Sequence, residues 1–468
     1  MVSSLRKKFI GDRAFYRMAL AVAVPIMIQN GITQFVALLD NIMVGGVGET
    51  AMGGVGVANQ LIFVFNLAIF GAVSGAGIFG AQFYGNGNHD GVRYAFRFKL
   101  LICAALTALG VGVFLLFGEN LITLYLKGEG TAAQRAETLR FAKEYLRIML
   151  LGFVPFVLSQ CYAGTLRETG QTIVPMLAGI ASVIVNLCLN ALLIFGYLGF
   201  PRLGSAGAAI ATVIARFVEA GIVMLWTHRH PERCRFIVGA YRSLRIPKHL
   251  AGKITVKTLP LMLNETLWAG GMALLSLCYS LCGLIVVPAN TIASTVGNVF
   301  NVAFLAMGNA IGIIVGQLLG ANKLDEAVDT DRKLIVFSVS ICFVIGGIMA
   351  LLSPYIPNIY TAQPAQVRAL ASKFILIVAI AMPINSLANA TYFTMRSGGK
   401  TFVTFLFDSV YVWCITVPLA FFLQRVVGLS IVPLYLVCQL VDLGKCAVGL
   451  ILIKKGVWIH NIAKDGVK

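Results

Sequence analysis

Five carboxylates stand inside long apolar runs of this 468-residue chain: Asp40, Glu219, Glu265, Asp408 and Asp442. Near the centre of a bilayer a charged acid costs roughly 2.5–3.5 kcal/mol on insertion scales, so each needs a partner or a task. Glu219 follows Arg216 by three residues, and Asp442 precedes Lys445 by three. That spacing sets each pair on one helix face, where the charges neutralise each other. Asp40, Glu265 and Asp408 have no Lys or Arg within a helical turn on either side. A lone acid in a low-dielectric setting favours its neutral form unless a cation binds, which is the physical basis of a proton or Na⁺ site.

Neutral ligands stand in suitable places. Asn186 and Asn190 are four apart and share a helix face, and an amide carbonyl suits a hard cation. Thr212, in Gly207-Ala-Ala-Ile-Ala-Thr212, adds a hydroxyl. One carboxylate with two amides and a hydroxyl (Asp40, Asn186, Asn190 and Thr212) makes a plausible weak Na⁺ site. Packing of one helix on another is the alternative reading of the two asparagines. Glu265 and Asp408 form a second candidate cation or substrate site in the C-terminal half.

The elements that must carry these residues follow from composition. The chain is 58% apolar and 12% charged, with a mean hydropathy of +0.86, against ~45–50% and ~25% for soluble domains. Twelve low-charge stretches lie near 15–42, 54–83, 96–118, 141–163, 171–197, 205–227, 254–282, 288–319, 333–353, 367–392, 401–424 and 429–453. Each is long enough to cross ~30 Å of hydrocarbon as a helix. The expected fold is therefore an all-α membrane protein of twelve transmembrane helices, and a soluble enzyme, a disordered chain and a disulfide scaffold are excluded. The basic segment Leu5-Arg6-Lys7-Lys8-Phe9 precedes a run too long for a cleaved signal peptide, which is kept as the first span.

The longest polar interruption, His228 to Lys257, carries eight cations and is read as the linker between two six-helix lobes, 1–235 and 236–468. With both termini cytoplasmic, 26 of the 37 Lys and Arg fall inside and 9 outside, as the positive-inside rule requires. The net charge of +18 is thus a topology signal rather than a nucleic-acid footprint. The ten cysteines are scattered with no C-x-x-C pair and read as small apolar residues in helices.

An internal repeat supports two lobes. Pro25 and Pro260 are 235 apart, as are Val64-Phe65-Asn66 and Val299-Phe300-Asn301, Gly77 and Gly312, Gln82 and Gln317, and Gly85 and Gly320. Arg167-Glu-Thr-Gly170-Gln-Thr172 recurs as Arg396-Ser-Gly-Gly399-Lys-Thr401 at an offset of 229, and Pro155 recurs as Pro383 at 228. An offset spanning an even number of helices relates two halves of the same orientation, as in parallel-repeat transporters. Gly75-Ala-Gly77-Ile-Phe-Gly80 matches a dinucleotide fingerprint but lies inside a span with no preceding strand, so close helix packing explains it. No Walker A, H-E-x-x-H or G-x-S-x-G motif is present and no histidines cluster, so neither an enzyme nor a cofactor is expected. Transport must then draw on an ion gradient.

Pro25 followed by Leu39-Asp40-Asn-Ile-Met-Val-Gly45 resembles the first helix of multidrug and toxic compound extrusion (MATE) transporters. Leu166-Arg167-Glu-Thr-Gly170 and Met395-Arg396-Ser-Gly-Gly399 are similar to motifs of that family, as is Asn186-x-x-x-Asn190-x-x-Leu193-Ile-Phe-Gly196 followed by Gly207-Ala-Ala-Ile-Ala-Thr212. The resemblance covers essentially the whole chain and is closest to the bacterial NorM-like pattern. It implies a two-lobed exporter, expected to act as a monomer in the plasma membrane, that moves cationic or amphipathic compounds against inward Na⁺ or H⁺. It also implies that Asp40, Asn186, Asn190 and Thr212 fall on the N-lobe cation positions. Some members carry Asp where this chain has Asn190, so Asp40 is left as the sole formal anion there. Glu265 lies close to an acid of helix seven in NorM-like members, and Asp408 has a loose counterpart. A lipid-linked precursor flippase is the alternative. A flippase for anionic head groups needs several cavity cations, whereas only Arg216 and Lys445 are read as deep within spans.

Overall fold

The structure is a computed structural model that describes residues 9–126, 131–361 and 363–465. Among the described residues it is all-helical with no strand. The main helices are α1 (Arg13–Gly45), α2 (Glu49–Gly85), α3 (His89–Tyr125), α4 (Ala132–Leu151), α5 (Phe153–Glu168), α6 (Ile173–Phe195), α7 (Ser205–Arg229), α8 (Lys248–Ser280), α9 (Val286–Gly320), α10 (Leu324–Leu352) and α11 (Ala365–Ser397). Two further long helices, α12 (Thr401–Val427) and α13 (Ile431–Lys454), precede the short α14 (Ile462–Asp465). Among the described residues eleven helices are long and apolar enough to cross a membrane, and α4 with α5, bent by 48°, makes a twelfth if the two are one span.

That bend has a local cause. Pro155 has no N–H to give the Leu151 carbonyl, and Gly152 lies between the two helices. Arg216 of α7 places Nη1 3.4 Å from the Gly152 carbonyl oxygen, with its guanidinium 4.8 Å from the centroid of the Phe156 ring. Helix α3 shows the inverted exposure expected of a lipid-facing element, with Leu115 and Leu116 65% and 77% exposed. Helix α12, expected as one regular helix, contains π-helical turns at Leu406–Val410, Val412–Thr416 and Leu423–Val427. The second closes with the Val417 N–H on the Val412 carbonyl, and Pro418 just beyond it has no N–H to give the Cys414 carbonyl.

The chain divides into two compact units. One comprises Ile28–Gly80 with His89–Thr255; the other comprises Met1–Met27, Ala81–Asn88 and Val256–Lys468. In the first unit, Phe65 and Phe153 stack at 4.1 Å. The segment between α7 and α8 is docked on α3: Arg97 donates to the carbonyls of Ala240, Gly239 and Arg245 at 2.8, 2.8 and 3.1 Å. Lys99 of α3, counted from sequence with the segment before the third span, is fully buried and bonds both Glu168 oxygens of α5 (2.7 and 2.6 Å) and Thr165 Oγ1 (3.0 Å). Gly77 and Gly80 of α2 leave room for that carboxylate, since a Cβ at either would run into Glu168. The glycine pattern set aside as a nucleotide decoy is therefore a cradle for a buried ion pair.

In the second unit the core lies among α8 to α13, with Phe374 stacked on Tyr435 at 4.3 Å. The repeat-related residues meet here. A Cβ on Gly85 would collide with the Gln317 backbone, and one on Gly320 with that of Gln82, so the ends of α2 and α9 touch reciprocally. Two glycines at one offset are what allow two helix ends this contact. Gln82 then ties in the C-terminal segment, donating to the carbonyls of Ser397 (2.8 Å) and His460 (3.2 Å) and accepting from the Ile462 N–H (2.7 Å).

Candidate functional site

Helix α6 presents Asn186 and Asn190 on one face, both buried. Against it lies α7, whose Gly207-Ala-Ala start is small enough for close approach; a Cβ at Gly207 would strike the Leu193 backbone. The result is a continuous chain of hydrogen bonds. Thr212 Oγ1 donates to the Ala208 carbonyl (2.9 Å) and accepts from Asn186 Nδ2 (3.2 Å). Asn190 Nδ2 donates both to Asn186 Oδ1 (3.1 Å) and to Asp40 Oδ1 of α1 (2.5 Å). All four residues predicted from sequence are thus joined.

Two features give the cluster an electrostatic character. Among the described residues no ion pair joins Asp40 to a Lys or Arg. Asn190 is 0% exposed, and its Oδ1 has no hydrogen-bond partner. A buried acceptor left open costs about 1–3 kcal/mol, which a cation or a donor arriving beside Asp40 would offset. The donor set is one carboxylate, two amide oxygens and a hydroxyl, hard oxygen ligands of the kind that bind Na⁺ rather than a soft metal. Tyr145 of α4 stands beside Asn59 of α2, within electrostatic reach of Asp40 and Arg216. Neither Tyr145 nor Asn59 stood out in the sequence, because nothing in their spacing ties them to Asp40.

The second predicted pair is also brought together, in different company. Asp408 of α12 accepts from Asn264 Nδ2 of α8 at 3.0 Å, and Glu265 is an electrostatic neighbour of Asp408 and Arg396. Asp408, expected to stand without a cation, is paired: Lys445 Nζ of α13 is 3.2 Å from its Oδ1. The expected contact of Lys445 with Asp442 is present but longer, at 3.6 Å. Spacing along one helix could pair Lys445 only with Asp442; the crossing of α12 and α13 supplies the nearer partner. The matching expectation for Arg216 and Glu219 is corrected. Arg216 turns to the backbone and ring at the α4–α5 break, and the two remain electrostatic neighbours without an ion pair.

A family model, MatE, matches residues 25–192 and 260–422. The chain belongs to the MatE family. The two matched segments of this MatE chain begin at Pro25 and Pro260, the first of the pairs separated by 235. Among curated relatives, the probable multidrug resistance protein NorM of Thermotoga maritima is 25% identical over 407 residues, 86% of this chain and 84% of that protein. The probable multidrug resistance protein YoeA of Bacillus subtilis is 24% identical over 420 residues, 88% of each. A mutant of the Vibrio cholerae MATE transporter VcmN has the same fold, with a TM-score of 0.86 at 17% identity over 96% of this chain and 98% of its own.

Proposed function

We propose that this MatE protein is a secondary active multidrug efflux transporter of the bacterial plasma membrane, with both termini cytoplasmic. It exports organic, often cationic, compounds by antiport against inward Na⁺ or H⁺. The lobes 1–235 and 236–468 alternate between inward and outward access. Asp40 binds the inorganic cation or the cargo's charge, never both, and that exclusion is the coupling. Asn190, Asn186 and Thr212 supply the neutral oxygens of the cation site.

The observation that carries this reading is a half-buried carboxylate hydrogen-bonded to an amide, beside an open amide oxygen, with no side-chain cation paired to it among the described residues. The amide-rich set leans towards Na⁺ over H⁺, because it can ligate a bare ion without a second carboxylate to share a proton. The multidrug-resistance names of the curated relatives support an exporter of small organic compounds over a flippase. No catalytic or cofactor role is assigned. The test is efflux of a cationic dye from inverted vesicles under an imposed sodium gradient or an imposed pH gradient. The sodium gradient alone is expected to drive export; export under neither gradient overturns antiport.

A further inference from the structure

Lys445 sits in a more elaborate setting than a structural ion pair needs. Its Nζ lies 3.2 Å from Asp408 Oδ1 and 3.6 Å from Asp442 Oδ1, and 5.5 Å from the centroid of the Tyr411 ring. Two carboxylates and an aromatic face around one ammonium make a recognition geometry for organic cations in general. Lys99 and Glu168 form the contrasting case, one cation to one acid, with side chains 0% and 8% exposed. At Lys445 the acids outnumber the base, and the Asp408 and Asp442 side chains are 23% and 28% exposed while that of Lys445 is 8% exposed. Carboxylates on membrane-spanning helices face the bundle interior or a water-filled cavity rather than lipid.

Two of the three walls of this setting, Asp408 and Tyr411, are held without help from Lys445, whereas Asp442 faces Lys445 itself. Asp408 Oδ2 accepts from Asn264 Nδ2 at 3.0 Å, and Asn264 Oδ1 is itself held by the Ser409 N–H (3.2 Å) and hydroxyl (2.7 Å). Tyr411 donates its hydroxyl to the Val441 carbonyl at 2.7 Å, at the break inside α13, and Gly444 leaves the room its ring needs. The lysine carries its charge on a four-carbon stem with freely rotatable bonds.

We propose that Asp408, Asp442 and the face of Tyr411 form a receptor for the ammonium group of an organic solute, and that Lys445 is its tethered occupant, displaced when the solute binds. This deepens the export reading by assigning a cargo site and cargo class in the C-terminal half, and it rests on that reading for the word cargo. A tethered competitor lowers apparent affinity by the fraction of time the site is free. If Lys445 is seated about 90–99% of the time, removing it tightens binding about 10- to 100-fold.

The experiment measures equilibrium binding of choline to the purified full-length protein, with its neutral isostere 3,3-dimethylbutanol as control. Lys445→Met is expected to bind choline at least ~10-fold tighter than the wild type. The gain should vanish in Lys445→Met/Asp408→Asn, and 3,3-dimethylbutanol should be unaffected. Equal choline affinity in the wild type and Lys445→Met overturns the proposal, as does a gain that survives Asp408→Asn. A measurement on the unmodified protein covers the case in which the variants do not fold. Saturating choline should raise acylation of Lys445 by an amine-reactive ester several-fold, read by peptide mass spectrometry; unchanged labelling is equally fatal. No gradient is applied, so a negative result leaves coupling at Asp40 untouched, and loss of gradient-driven export leaves the binding result standing.

Discussion

Around Asp40 the protein sets neutral groups, two asparagine amides and a threonine hydroxyl in one hydrogen-bonded row. Around Asp408 it sets an ammonium, a second carboxylate and an asparagine. Each aspartate lies on a long apolar helix with no cation within a turn of its own chain. Amides hold a carboxylate in position but do not cancel its charge, so a diffusible ion can complete the first cluster. A lysine cancels the charge but is tethered, so anything else that binds must first move it. Lys99 with Glu168 is the limiting case, a pair whose side chains are only 0% and 8% exposed. In the proposed scheme, burial and the number of acids per base, rather than the presence of an acid, separate an exchangeable site from a structural bridge.

The sharpest way to break this contrast is Asp40→Asn. It keeps the size and the hydrogen-bonding capacity but removes the charge, and should abolish gradient-driven dye export, by ~100-fold or more, while leaving expression and thermal unfolding intact. Near-normal export would falsify the distinction between the two aspartates. Lys99→Met tests the enclosed extreme. Removing the ammonium beside the buried Glu168 should cost about 3–5 kcal/mol of stability, seen as a large drop in thermal midpoint, with much of the loss recovered in Lys99→Met/Glu168→Gln; an unchanged midpoint would show that Glu168 does not depend on Lys99. Asp408→Asn should be milder, because Asp442 still faces Lys445: a loss of roughly fivefold in export of organic ammonium compounds, about 1 kcal/mol by the tenfold-per-1.4 kcal/mol rule, is expected in initial-rate assays. Abolition there would make the second cluster as important as the first. Smallest is Thr212→Ala. It removes one neutral oxygen at the end of the row and should raise the half-saturating sodium concentration about two- to threefold without changing the maximal rate. A changed maximal rate with an unchanged sodium dependence would take Thr212 out of the ion site.

Much of this could be read without coordinates. Apolar runs of span length with almost no charge dictate membrane helices, because a backbone in hydrocarbon has to satisfy its own hydrogen bonds. The repeat at 235 foretold the equivalence of Pro25 with Pro260 and of Gln82 with Gln317. Asn186 and Asn190 at i, i+4, with small residues opening α7, were enough to place three of the four cluster residues near one another. In-helix spacing was a fair guide for Asp442 with Lys445 and a poor one for Arg216 with Glu219, because spacing names a neighbour on the same face and says nothing of a better partner across the interface.

The residues of the chain by themselves determined its solvent, its helices, its duplication and which acids needed an explanation, since all of these follow from local chemistry and from periods of a few residues. Tertiary structure alone decided which of those acids already had a cation. Asp40 and Asp408 are alike along the chain, and only the packing of α12 on α13 puts an ammonium within 3.2 Å of one of them. The physical reason is range: a helix dictates contacts over one turn, whereas a charge pair across two helices depends on crossing points set by the whole fold.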